Sequence, residues 1–420
     1  MRRILSGAVI AVLTLGLAPA HASAPTRPLR DAPQQAAEVS EPPRPAHDPF
    51  YVYRGDLGAM PNGTPLKARQ VSLAATQTGM PITAEQILYR TTTTTGQPTA
   101  TVTTVVLPAT GTVDPQVVGY LSFYDALASK CNPSYTLRGG DPGEANRDTA
   151  WAEQGVVHSL NQQGYIVTVP DFETPRMDFT SGRENGRVAL DGVRATLRWL
   201  DLDRSTPVGL MGYSGGSIAA DWASELHPSY APELNLVGVA EGGMPVNPFH
   251  TMRYIDGVPA WSHLTPMLLL GVARSYDLSL ERWLSHYGRS VTRFAASRCI
   301  GELSDRWPRL TLQRMARPGS RPLLRVRPLR RELRRNVMGS AAGSPRTPLL
   351  MVAAKSDDRG DGVILLADMR RLAAEYCDQG VPVTFRQVDV EHTPGGVAFM
   401  PMAMEFLAER FAGVPPTSTC

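Results

Sequence analysis

Lysine is almost missing from this chain. Of 42 basic residues only Lys67, Lys130 and Lys355 are lysine, and the rest are arginine. That bias speaks of a GC-rich genome more than of a function. An excess of one charge sign is missing too. The 39 acidic residues leave a net charge of +3, too little to imply a nucleic-acid partner. There is no Cys-x-x-Cys pair, no metal-ligand spacing and no phosphate-binding glycine loop, so no cofactor or metal is expected. Beyond the N-terminus no apolar run approaches the ~20 residues of a membrane-spanning helix. The mature chain is therefore expected to be soluble or peripheral, with no required protein partner.

Cysteine is also scarce, and its few copies gain meaning from the N-terminus. Arg2 and Arg3 precede an apolar stretch at 4–17, and Ala20-His21-Ala22 follows as a small-residue cleavage site. Residues 1–22 thus read as a signal peptide, and the protein as secreted or attached to the cell envelope. In an oxidising compartment Cys131, Cys299, Cys377 and Cys420 are expected to form two disulfides. Spacing leaves all three pairings open.

Residues 23–46, rich in Pro and Ala, read as a flexible or extended leader. Strands then alternate with helices. Strands are expected at 99–107, 116–124, 165–170, 236–240, 348–354 and 383–390. Helices are expected at 151–163, 186–200, 366–379 and 397–411. This pattern predicts the α/β class, with a mostly parallel sheet flanked by helices. The sheet core spans 47–244 and 345–420. Between them, 245–344 is helical and irregular, with an apolar piece at 264–272 and ten arginines from Arg309 to Arg335. An insertion of this length between late strands reads as a lid or cap.

One motif carries chemistry. Gly212-Tyr213-Ser214-Gly215-Gly216 follows an apolar strand and precedes a helical run. That context makes a nucleophile elbow, with a serine on a sharp strand-to-helix turn. Gly212 and Gly216 let strand and helix approach closely around it. A serine hydroxyl needs a base, and the base an orienting acid, following the serine in the order acid, then histidine. Of the later histidines, His227 ends the elbow helix, and His250, His263 and His286 lie in the insertion. Only His392 follows the last strand, and it is expected on a loop. The acid is expected just past the strand ending near Ala354, where Asp357, Asp358 and Asp361 all stand.

The chain resembles the secretory lipases of the lipase A type, which have the α/β-hydrolase fold. The likeness rests on the serine motif, on Ser-Tyr-Ala-Pro-Glu-Leu-Asn at 229–235, on Val237-Gly238 and on Gly-Gly-Met-Pro-Val at 242–246. Tyr124-Asp125-Ala126, Cys-Asn-Pro-Ser-Tyr at 131–135, Leu-Asp-Gly-Val-Arg at 190–194 and Glu391-His392 also match. It spans nearly all of the mature chain, from about 49 to 420.

The resemblance implies Asp361 as the acid, although Leu365 stands where the family pattern has Pro; Asp357 and Asp358 remain alternatives. It implies an oxyanion hole from the N–H groups of Gly215 and Asp125. It also implies the pairs Cys131–Cys299 and Cys377–Cys420. Hydrolysis of acylglycerols or other esters is the expected activity, with the insertion touching lipid. Trp261, Leu264, Met267, Leu268, Leu269 and Leu270 are candidates for an acyl tunnel or for an apolar face toward a lipid surface, or are plain helix core. The ten arginines are candidates for lipid head-group contact, or are a solvated face. A carboxylesterase or acyltransferase on smaller esters is the alternative. A non-catalytic lipid-binding protein on the same scaffold is the alternative of another class.

Overall fold

The computed structural model describes residues 41–74, 82–109, 114–339 and 343–420. The signal segment 1–22 and leader residues 23–40 lie outside the described residues. The rest of the leader does not run free. Pro42 and Pro45 are buried, and Glu41 accepts a hydrogen bond from the Tyr135 hydroxyl at 2.7 Å. Proline has little backbone freedom to lose, so such a segment is ordered cheaply once its rings find apolar contacts.

The sheet has nine strands among the described residues. They are β1 (Pro65–Leu73), β2 (Ile82–Thr92), β3 (Pro98–Val106), β4 (Val117–Leu121), β5 (Ile166–Pro170), β6 (Pro207–Tyr213), β7 (Asn235–Gly242), β8 (Leu349–Ala354) and β9 (Val383–Val388). Their order is β1-β2-β3-β5-β4-β6-β7-β8-β9. The first three pair antiparallel with one another, and β3 pairs antiparallel with β5. From β5 to β9 every pairing is parallel. All five residues of β4 and of β5 and all six of β8 are buried. Covered on both faces, such strands read as unbroken apolar runs. β1 and β2 are not among the expected strands; in β1 most residues are only half-buried and the alternation of apolar and polar residues is interrupted at Arg69-Gln70.

Eleven helices are described. α1 (Pro133–Thr136), α2 (Glu144–Gln162), α3 (Gly182–Trp199) and α4 (Gly215–Tyr230) precede β7. α5 (Pro248–Tyr254), α6 (Leu264–Ser275), α7 (His286–Ala295), α8 (Leu312–Met315) and α9 (Arg327–Arg334) lie between β7 and β8. α10 (Leu366–Asp378) and α11 (His392–Phe411) follow β8 and β9. α2 starts seven residues before the sequence reading placed it, and α3 four residues before.

The inserted helices share one hydrophobic core with the sheet. Met267 and Leu269 of α6 pack in the same cluster as Val239 and Leu349. In α6, Leu264, Met267, Leu268 and Leu269 are 7%, 0%, 3% and 0% exposed, so the apolar piece is helix core rather than an exposed lipid face. Truncating one such side chain to alanine is expected to cost about 2–5 kcal/mol. Gly271 presses its bare Cα on the Phe179 backbone, where a Cβ would lie 1.9 Å from the carbonyl oxygen. Among the described residues no helix is long and apolar enough to cross a membrane.

Candidate active site

β6 ends at Tyr213, and α4 begins at Gly215, so Ser214 occupies the single residue of the turn. Its φ of 52° and ψ of −120° are unusual for a residue with a side chain. The turn is held by Ser214 N–H donating to the Gly242 carbonyl at 2.9 Å and Ser217 N–H donating to the Ser214 carbonyl at 3.0 Å. A serine at this position ordinarily caps the helix with its own oxygen. Here it makes no cap bond, because the strained backbone turns the hydroxyl away. Gly216 makes the turn possible: a Cβ there would sit 2.0 Å from the Leu121 carbonyl oxygen.

The freed hydroxyl meets a histidine. Ser214 Oγ lies 2.8 Å from His392 Nε2, and His392 Nδ1 lies 2.7 Å from Asp361 Oδ2. His392 is 5% exposed and Asp361 1%. Asp361 Oδ1 accepts the backbone N–H groups of Val363 and Ile364 at 2.9 and 2.7 Å, so the carboxylate is aimed with little freedom left. His392 is not on a loop as expected; it is the first residue of α11. Pro394 and the two glycines after it read as a break, yet proline is compatible with a helix's first turn, where its missing N–H is not needed.

The other acids of the loop stand apart. Asp357 is exposed, and its Oδ1 caps its own turn by accepting from Arg359 and Gly360 N–H. Asp358 is exposed as well. His227 bonds the Leu234 carbonyl, and His250 pairs with Asp368. Burial holds His263 down at about 4.

Asp125 lies on the other side of the serine, with φ at 27°. Its Oδ1 reaches so far over Gly215 that a Cβ there would lie 1.6 Å from it. That oxygen is buried with no hydrogen-bond partner among the described residues. Burial first, then the neighbouring Glu153, push the Asp125 carboxyl up to about 8. A neutral acid can stand beside a developing oxyanion where a carboxylate would repel it.

Glu153 and Tyr213 had no role assigned by the sequence, and Trp261 stood only among the candidates for the apolar lining of the insertion. Glu153 of α2 accepts Phe123 N–H at 2.9 Å and the Tyr120 hydroxyl at 3.2 Å, tying down the segment that leads to Asp125. Tyr213 donates its hydroxyl to the His392 carbonyl at 2.7 Å and lies against its ring; being next to the serine was its only hint. Trp261, from the insertion, meets the His392 ring edge-on at 5.5 Å. The insertion also braces the Asp125 loop. Ile300 N–H donates to the Asp125 carbonyl at 3.2 Å, and Leu127 N–H to that of Arg298 at 2.9 Å. A disulfide joins Cys131 to Cys299 at the same place, and a second joins Cys377 to Cys420. Among the described residues no group of His, Cys, Asp or Glu is placed to hold a metal ion.

Known proteins resemble this chain in sequence and in fold. The model of the secretory lipase family matches residues 144–419. A secreted triacylglycerol lipase of Malassezia restricta is 32% identical, over 90% of this chain and 81% of its own length. A protein of Mycobacterium tuberculosis described as a probable inactive lipase is 33% identical, over 89% of this chain and 84% of its own. Among solved structures, Candida antarctica lipase A in its closed state superposes with a TM-score of 0.83 at 27% identity, covering 91% of this chain and 89% of that one. The sheet order, the strained serine and these matches agree, and the chain belongs to the secretory lipase family.

Proposed function

We propose that the protein hydrolyses acylglycerol esters by way of an acyl-serine. Ser214 is the nucleophile. His392 takes its proton through Nε2 and later delivers it to the leaving alcohol, while Asp361 holds the Nδ1 proton and steadies the imidazolium. The N–H groups of Gly215 and Asp125 receive the developing oxyanion. Water then attacks the acyl-serine by the same proton route in reverse. The observation that carries this reading is the unbroken chain from Ser214 Oγ through His392 to Asp361, at 2.8 and 2.7 Å.

The insertion 245–344 acts as the lid. Trp261 against the His392 ring and the brace on the Asp125 loop support that role. Substrate entry then moves Trp261 while the disulfide side of the insertion stays fixed.

A relative described as a probable inactive lipase keeps a non-catalytic reading in view. The close contact between serine and imidazole counts against it here. Labelling with a fluorophosphonate separates the two. The probe is expected to modify Ser214, and Ser214→Ala is expected to lower hydrolysis of an emulsified triacylglycerol by at least about 10⁴-fold with its melting temperature kept. A protein that neither labels nor hydrolyses would refute the enzyme reading.

A further inference from the structure

The segment 309–335 contains ten arginines and a single acidic residue, Glu332, a net charge of +9. The whole chain carries +3, so all other residues together carry −6. Charge is thus strongly segregated onto one stretch of the insertion. All ten arginines are exposed. Among the described residues only Arg331 and Arg335 form ion pairs, both with Glu332.

α9 gives this charge a direction. Arg327, Arg330, Arg331 and Arg334 recur at intervals of three and four, which places them on one side of the helix. Leu329, Glu332 and Leu333 occupy the opposite side and are buried. The helix therefore cannot roll to turn its arginines inward without exposing its leucines. Its C-terminal end is fixed near the edge of the sheet that bears Ser214. Met338 N–H donates to the Val246 carbonyl, four residues beyond β7, and Gly182 N–H donates to the Asn336 side chain.

We propose that the arginine face of α9 docks the protein on an anionic lipid surface, through guanidinium contacts to lipid phosphates. Guanidinium groups suit this task, because they stay charged at any working pH and fork onto phosphate oxygens. A lipid surface is favoured over a soluble polyanion because the face is carried by the insertion that also covers the candidate site. A basic face of this kind holds an enzyme at an interface without a membrane-spanning helix. The proposal rests on the hydrolase reading for its purpose but not for its test.

The test is co-sedimentation of the full-length mature protein with two vesicle preparations. One is phosphatidylcholine alone, and the other contains about 30 mol % phosphatidylglycerol. The protein is expected to bind the second at low salt and to be released near 0.5 M salt, where the Debye length shrinks to about 4 Å. The triple variant Arg327→Gln, Arg330→Gln, Arg334→Gln is expected to bind at least about tenfold more weakly. Its melting temperature and its hydrolysis of a soluble short-chain ester should match the unaltered protein. Equal binding to both vesicles, or a triple variant that binds as well as the parent, overturns the proposal. So does tighter retention on heparin than on vesicles of matched charge, which would assign the face to a soluble polyanion. Failure of soluble-ester hydrolysis in the unaltered protein would undo the hydrolase reading and leave the vesicle result standing.

Discussion

Ser214 and Asp125 both hold left-handed backbone angles, and the Asp125 carboxyl lies over Gly215, the residue that follows the serine. Strain of this kind costs of order 1–3 kcal/mol at each residue and persists only where its surroundings impose it. For Asp125 those surroundings are acidic. Glu153 of α2 raises its carboxyl, and Glu173 stands close enough for Asp125 to raise it in turn. Asp178 and Arg274 bear on Glu173 from further out, with opposite signs. An Asp125 pushed up to about 8 stays neutral below that pH and ionises above it. Hydrolysis of a soluble ester should therefore decline as pH rises through about 8. Glu153→Gln keeps an acceptor for Phe123 N–H but removes the like charge, so the alkaline decline should move to lower pH. Asp125→Asn cannot ionise and should lose that decline. An alkaline limb unmoved by either change would show that Asp125 does not titrate in the site. The resemblance pointed to Asp125, but the part played by Glu153 was not legible in the sequence. Glu153 stands 28 positions from Asp125 on a helix that reads as an ordinary surface element, and only burial beside the loop gives it a role.

At the scale of elements, the elbow was readable because its demands are local. One short stretch supplies the strand, the turn and the helix, and Gly212 answers a clash inside the motif itself, since a Cβ there would meet the Gly216 carbonyl. The brace on the oxyanion loop is the opposite case. It joins Asp125 and Leu127 to Arg298 and Ile300, in segments whose linked cysteines stand 168 positions apart; the resemblance implies that bridge, but nothing in either segment announces the backbone bonds beside it. Chain entropy alone gives a disulfide closing so long a loop about 5 kcal/mol, and disulfides typically contribute about 2–4 kcal/mol. Replacing Cys131 and Cys299 together by serine should lower the melting temperature by several degrees. It should also reduce kcat more than it raises KM, since the loop it frees carries the proposed oxyanion donor, Asp125. Kinetics with a soluble ester below the new melting temperature check this. A purely thermal effect with kcat intact would confine the bridge to stability. The start of α11 is a smaller lesson of the same kind. Pro394-Gly395-Gly396 reads as loop, but packing of Phe399, Ala403 and Leu407 against the sheet carries the helix back to His392.

Over the whole molecule, buried carboxyls set the response to pH. Burial holds Glu153 and Asp171 up at about 7 and Asp125 at about 8. It also holds Glu173, Asp178, Asp221 and Glu241 well above the usual carboxylate range. In the unfolded chain these groups return to about 4. Between about pH 4 and 8 the folded protein therefore holds more protons than the unfolded chain, and its stability falls as pH rises. The contribution is fully present below about pH 4; that of Glu153, Asp171 and Asp125 is lost as pH rises through about 7 to 8. Even one proton of difference amounts to about 1.4 kcal/mol per pH unit. The melting temperature should accordingly be higher near pH 5 than near pH 8 by at least about 5 °C. A thermal scan across that range that rises instead would contradict the buried, protonated state of these groups.

The sequence by itself determined the parts whose physics is short-ranged. Apolar runs made the buried strands, glycines made the elbow, and the order of serine, acid and histidine followed from the order of strands. It could not choose among Asp357, Asp358 and Asp361 by spacing, because all three lie within five residues of one another. The tertiary structure made that choice by burying Asp361 under two backbone N–H groups and facing it to His392. The same is true of Glu153, Tyr213, Trp261 and the braced oxyanion loop. A site of this kind is assembled where distant segments converge at the edge of a sheet, and the burial that tunes its groups exists only once they have met.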